Sequence, residues 1–274
     1  MRRLFFLLMC CIFLLCACGK KEPQAQIAAT TGPVAQFAQL VTEGTGLSVA
    51  QVINDSVSCL HDYSLSVGQM EVLSGSDIVL ISGGGLEDFM EPALRSSKVV
   101  ADCSSGIDFL GEDPHIWLDP SRAAQMMQNI AAVLAEQYPQ HAARIQENTA
   151  ACLPRFEQLR QYGSDTLADI SCRKLVTFHD GFGYLADAFH LEIIAAIEEE
   201  SGSEASAQTL ISIMDLIRLH KLPAVFTERN GSEAAASVIE AEIGIPHFAL
   251  DMGLNGDYFS VMTANIDTLK EALQ

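Results

Sequence analysis

The 274-residue chain is 49% hydrophobic and carries 35 acidic against 16 basic side chains, a formal net charge of −19. That is enough apolar material for a full core, in one large or two modest domains, and it excludes a disordered chain. No Lys/Arg stripe is present, which argues against nucleic acid as a partner; the acidic balance is first of all that of a solvated surface.

The first eighteen residues, "MRRLFFLLMCCIFLLCAC", place two arginines before an apolar run too short to span a bilayer comfortably. This is the layout of a secretory leader, expected over residues 1–17 and excluded from the fold. Leu15, Cys16, Ala17 and Cys18 resemble a bacterial lipobox, in which the final cysteine receives lipid and becomes the new N-terminus. Cys18 is then the membrane anchor and residues 18–25 a polar tether. An ordinary signal peptide with a chance cysteine is the alternative.

From residue 26 strands and helices alternate. "QIAATT" and "LSVAQVI" read as strands around a helix over residues 33–43; a helix near 67–74, then "DIVLIS" and "KVVAD", continue the pattern. Asp119 and Pro120 form a helix start, and the spacing of Ala123, Met127, Ile130 and Leu134 carries that helix to about Tyr138. A longer helical connector is expected over 139–170, with Pro154 able to kink it and Gly163 able to end it early. The alternation then resumes with "KLVTF", a helix from Gly181, "EIIAAI", a helix over 206–220, "AVFTE", a helix over 232–243, "HFAL" and a last helix from about Asp257. The expected class is α/β, with an N-terminal lobe at 26–138 and a C-terminal lobe at 171–274, each a small parallel sheet with flanking helices.

Four side chains fall beyond the carboxyl ends of predicted strands, where open α/β sheets place their ligands. His61 follows the second strand, His115 the fourth, His179 follows "KLVTF" and Asp251 follows "HFAL". Two therefore belong to each half, facing the crevice between them. Three imidazoles and one carboxylate form a closed nitrogen and oxygen set suited to tetrahedral Zn²⁺. His141 and His220, on predicted helices, and His190 and His247, at strand beginnings, read as structural. Asp113, Asp119 and Asp180 adjoin ligands and could orient imidazole N–H groups, although Asp119 is better placed to cap the following helix. Glu228, after "AVFT", is a weaker candidate as an acceptor or substitute ligand; a glutamate there is more often a solvated surface residue.

Beyond the leader and Cys18, four cysteines remain: Cys59, Cys103, Cys152 and Cys172. In an oxidising compartment disulfides persist, and three connectivities are open. A continuous connector helix would hold Cys152 too far from Cys172 for a bond, though a kink at Pro154 or an early end at Gly163 leaves that pairing open; pairing of Cys59 with Cys103 is favoured. None has CxxC spacing, which argues against a thiolate metal site.

The stretches "LHDYSLSVGQMEVLSGSDIVLISGGGLEDFMEPAL", "DPHIWLDP", "LVTFHDGFGYLADAFHLE" and "GDYFSVMTANIDTLKEAL" together resemble the successive motifs of the zinc/manganese (cluster A-I) solute-binding lipoproteins of ABC transporters. The likeness covers nearly the whole chain after the leader. It implies two lobes joined by a long, rigid backbone helix, metal ligands at His61, His115, His179 and Asp251, and delivery of the metal to a membrane permease. It also implies a monomer on the extracytoplasmic face of the plasma membrane, held by lipid on Cys18.

Histidine at 179, where a carboxylate accompanies manganese in the family, favours Zn²⁺ as the transported ligand, with Mn²⁺ as the alternative. The chain departs from the family in four places: "LDM" stands for "LDP", His190 for a common glycine in "YGLE", Pro154 interrupts the connector helix, and no His-rich acidic loop separates His61 from His115. An enzyme is not expected, since no HExxH is present and Asp251 fills the position a catalytic zinc would leave open. A secreted zinc hydrolase and a surface adhesin are the readings from other classes.

Overall fold

The computed structural model of the protein describes residues 25–54, 63–198 and 206–274. Cys18, Cys59 and His61, with the expected leader and most of the tether, lie outside the described residues. Two parallel four-stranded sheets carry the architecture. The first holds β1 (Ile27–Ala29), β2 (Val49–Gln51), β3 (Ile78–Ile81) and β4 (Val100–Asp102) in the order β2-β1-β3-β4. The second holds β5 (Lys174–His179), β6 (Glu192–Glu198), β7 (Val225–Glu228) and β8 (His247–Leu250) in the order β6-β5-β7-β8. Ile27 pairs with Val49 on one side and Ile78 on the other; Thr177 likewise sits between Ala196 and Phe226. In each sheet the chain turns back beside its first strand, creating a switch point with a crevice beyond the strand ends.

The helices are α1 (Gly32–Val41), α2 (Val67–Gly75), α3 (Glu91–Leu94), α4 (Pro120–Gln137), α5 (Ala142–Thr166), α6 (Gly183–Ala188), α7 (Ala207–His220), α8 (Ala234–Ile243) and α9 (Tyr258–Leu273). Local chemistry explains several boundaries. Ser66 and Gln69 exchange hydrogen bonds in a capping box at the start of α2, and Asp119 accepts the Ser121 N–H at 2.7 Å to start α4. Ala123, Met126, Met127, Ile130, Ala131 and Leu134 then form the buried stripe of α4. The four-residue α3 was not anticipated, since so short a segment shows no apolar period.

The connector is α5, a helix of 25 residues and about 37 Å. It begins at Ala142, after a 3₁₀ turn at Pro139–His141, and runs through Pro154 without a break; Gly163 lies inside its last turn and does not end it early. Pro154 removes the donor for the carbonyl of Ala150, but Ala150 is exposed, so water can take that carbonyl. Among the described residues no helix is long and apolar enough to cross a membrane.

The two lobes share one core. A single buried cluster runs from Ile27 and Phe37 through Trp117, Ile130 and Phe156 to Phe226, Tyr258 and Leu273. A second cluster lies on the far side of the C-terminal sheet, where Val176, Phe178 and Val225 meet Ile213, Ile217, Ala236 and Ile239 of α7 and α8. Strand alternation does the sorting: Val225 faces the second cluster and its neighbour Phe226 the first.

Where the lobes meet the connector, Phe37 of α1, Phe156 of α5 and Tyr258 and Phe259 of α9 pack mostly edge to face, with ring centroids 4.9–5.7 Å apart. Each of the fully buried rings, Phe37, Phe156 and Tyr258, contributes about 1.5–3 kcal/mol through burial. A Cβ on Gly32 would run into the carbonyl of Leu254, so the start of α1 lies directly on the C-terminal lobe.

Candidate metal centre

Both halves of the candidate site hang from strand ends. In the N-terminal lobe, the loop after β4 brings Asp113 and His115 together. Asp113 Oδ1 accepts the His115 backbone N–H at 2.9 Å and faces its Nδ1 at 2.7 Å. A carboxylate only accepts, so Nδ1 carries the proton and Nε2 is left with the lone pair a metal needs.

This loop is held from the other lobe. The Tyr184 hydroxyl donates to the Asp113 carbonyl at 2.8 Å and accepts the Leu110 N–H at 2.9 Å. The Trp117 indole N–H donates to the Met252 carbonyl at 2.7 Å, and the Tyr258 hydroxyl donates to the Trp117 carbonyl at 2.8 Å. Burial pushes the Tyr258 phenol well above its ordinary range, so it stays a donor. Arg122 closes the frame, reaching Asp119 at 2.7 Å and Asp187 of α6 at 2.8 Å.

In the C-terminal lobe, His179 is the final residue of β5, one position earlier than the expected loop, and is buried. Its ring lies 5.5 Å from that of His115, at 80°. A Cβ at position 181 would stand 2.7 Å from His179 Nε2 and 2.8 Å from the Met252 methyl, so Gly181 keeps that edge of the imidazole open.

Asp251 follows β8. Its main chain is clamped by the buried Asn265, which accepts the Asp251 N–H and donates to the Asp251 carbonyl, both at 2.8 Å. Its Oδ1 accepts the Gly253 N–H at 2.8 Å, and its Oδ2 pairs with Arg229 Nε at 2.9 Å. A cavity of about 180 Å³ adjoins this pair, lined by Glu228, Arg229, Asn230, Asp251, Met252 and Asn255 among others.

The structure thus brings His115 and His179 together across the crevice, while Asp251, beyond β8, is engaged by Arg229. Among the described residues no three His, Cys, Asp or Glu side chains form a group that could hold a metal, and the fourth expected ligand, His61, lies outside them. Asp113 takes the orienting position toward His115. Asp180 is exposed in the turn after β5, and Asp119 caps α4.

Glu228 corrects the surface expectation: it ends β7 and is only 6% exposed, because the strand carries it inside the sheet. Cys103 has a free, buried thiol, pushed well above its ordinary range by burial and then by Glu87 and Asp102; its expected partner Cys59 lies outside the described residues. Cys152 and Cys172 are also free. Sequence reasoning missed Tyr184, Arg229 and Asn265. Of these only Asn265 left a signal, as a polar residue on the buried stripe of α9.

Residues 27–272 match the family described as zinc-uptake complex component A, periplasmic. The zinc-binding protein AdcA of Streptococcus pyogenes is 25% identical over 217 residues, which take in 76% of this chain and 42% of that protein. The chain therefore spans less than half the length of that relative. A crystal structure of ZnuA superposes with a TM-score of 0.82 at 28% identity, covering 91% of this chain and 100% of the other. The SBP FpvC from Pseudomonas aeruginosa, in complex with Mn²⁺, gives 0.80 at 25% identity, covering 92% and 98%. The match over nearly all the described chain, with the two-lobed α/β fold it shares with these structures, shows that the protein belongs to the zinc-uptake component A family of periplasmic metal-binding proteins.

Proposed function

We propose that the protein captures one divalent transition metal between its lobes, Zn²⁺ in preference to Mn²⁺, and passes it to the membrane permease of an ABC importer. His61, His115, His179 and Asp251 are the ligands in this reading. The observation that carries it is the pair of imidazoles from opposite lobes, with the Nδ1 proton of His115 committed to Asp113 and its Nε2 left as a donor. Three imidazoles and one carboxylate suit four-coordinate zinc, and filling the fourth position with Asp251 suits carriage over hydrolysis. The chain acts as a monomer at the extracytoplasmic face, tethered by lipid on Cys18.

Release follows a local movement of the ligand loops, because Trp117, Tyr184 and Tyr258 bond across the lobes and resist wide opening. The test is elemental analysis of protein purified without added metal, with competition between Zn²⁺ and Mn²⁺. One equivalent of zinc, lost in His115→Ala, is the expected result. Absence of any tightly held metal, or zinc retained after His115→Ala, would sink the reading.

A further inference from the structure

Asp251 is not an open, two-oxygen donor. The Gly253 N–H holds Oδ1 at 2.8 Å and Arg229 Nε holds Oδ2 at 2.9 Å, while Asn265 fixes the main chain beneath. The carboxylate is mostly buried, at 20% exposed, whereas the guanidinium is more than half exposed. Arg229 is itself anchored just past the end of β7: its N–H donates to the Leu250 carbonyl at 2.8 Å, which sets it beside Asp251 just past the end of β8.

An ion bound through Oδ1 alone can keep its distance from the guanidinium. An ion chelated by both oxygens would have to displace Arg229 or sit against its positive charge. Four-coordinate zinc, already given three imidazoles, needs only one oxygen. Manganese is harder and adopts more oxygen-rich coordination, so it depends more on the second.

We infer that Arg229 is a specificity-determining residue: by holding Oδ2 of Asp251 it limits that carboxylate to one metal bond and turns the site toward zinc and away from oxygen-preferring divalent ions. This rests on the metal site proposed above. Removing the guanidinium frees Oδ2 and raises the coordination number open to the bound ion.

The experiment compares the wild-type chain with Arg229→Gln and Arg229→Lys, each stripped of metal by chelator. Zinc and manganese affinities are read by competition with a fluorescent chelator, and coordination number by the visible absorption of bound Co²⁺. Arg229→Gln should bind manganese at least about tenfold more tightly while zinc affinity changes about threefold or less. Its cobalt bands should weaken as the ion leaves tetrahedral geometry, and Arg229→Lys should fall between.

A zinc-to-manganese ratio and cobalt spectrum unchanged in Arg229→Gln, in a chain whose zinc binding still depends on His115, would overturn the inference alone. A wild-type chain that binds neither ion would overturn the site reading beneath it. Melting of the metal-free variants monitors folding, and the half-exposed position of Arg229 makes Arg229→Lys the variant that preserves it.

Discussion

The corners of the proposed site at His115 and Asp251 are prepared in opposite ways. His115 gives its spare N–H to an acidic partner, Asp113, which raises the basicity of the imidazole and fixes its tautomer. Asp251 has a basic partner, Arg229, which would compete with a metal for the same carboxylate. One corner is primed to donate and the other is restrained. As the proposed metal site, this arrangement would gain strength from nitrogen and discriminate through oxygen.

The sharpest test of the primed corner is Asp113→Asn. The amide keeps the shape but accepts a weaker bond, and its NH₂ can meet the imidazole as a second donor. Zinc affinity should fall about 10–100-fold, the range for partners of ligating histidines. Isothermal titration with a competing chelator measures it. An unchanged affinity would show that His115 needs no acidic partner, and the contrast between the corners would collapse.

A smaller effect is expected one step further out. Tyr184 supplies a hydroxyl from the C-terminal lobe that bridges Leu110 N–H and the Asp113 carbonyl. Tyr184→Phe removes both bonds and leaves the ring, so unfolding free energy should drop by about 1 kcal/mol in denaturant melts. Zinc affinity should fall several-fold because Asp113 is then less well held. If stability falls while affinity holds, the primed corner owes its order to its own loop and not to the facing lobe.

These two layers differ in how legible they are in the chain. The alternation of strands and helices reads directly, because each element has its own period or cap: the Asp119-Pro120 start of α4 and the "KLVTF" strand sit where the residues place them. His115 and His179 follow from the same reading, since residues beyond the strand ends of an open α/β sheet fall at its crevice, and their rings lie 5.5 Å apart. Contacts between distant segments do not read. Arg229 looks like any exposed arginine until β8 is laid beside β7, and Tyr184 looks like a core aromatic until its hydroxyl is seen to reach 71 residues back to Asp113. Glu228 misleads for a similar reason: a glutamate at a strand end is ordinarily solvated, and only the place of β7 inside the sheet keeps this one buried.

The smallest expected effect concerns a residue outside the site and returns to a departure visible in the sequence. His190 stands where the resembling family commonly has glycine, and its backbone has φ of +56°, in the left-handed region that glycine enters without strain. The turn from α6 into β6 demands that conformation, because the Leu191 N–H must reach back to the Ala186 carbonyl at 2.9 Å. Histidine tolerates it at a cost of about 1 kcal/mol, partly offset because a non-glycine residue has less freedom to lose on folding. His190→Gly should therefore stabilise the protein by roughly 0.5 kcal/mol, read as a rise of about one or two degrees in the melting midpoint of the metal-free chain, with zinc affinity unchanged. The imidazole lies in the turn after α6 and is exposed, so a change in zinc affinity on its removal would extend the metal site beyond the two corners contrasted above.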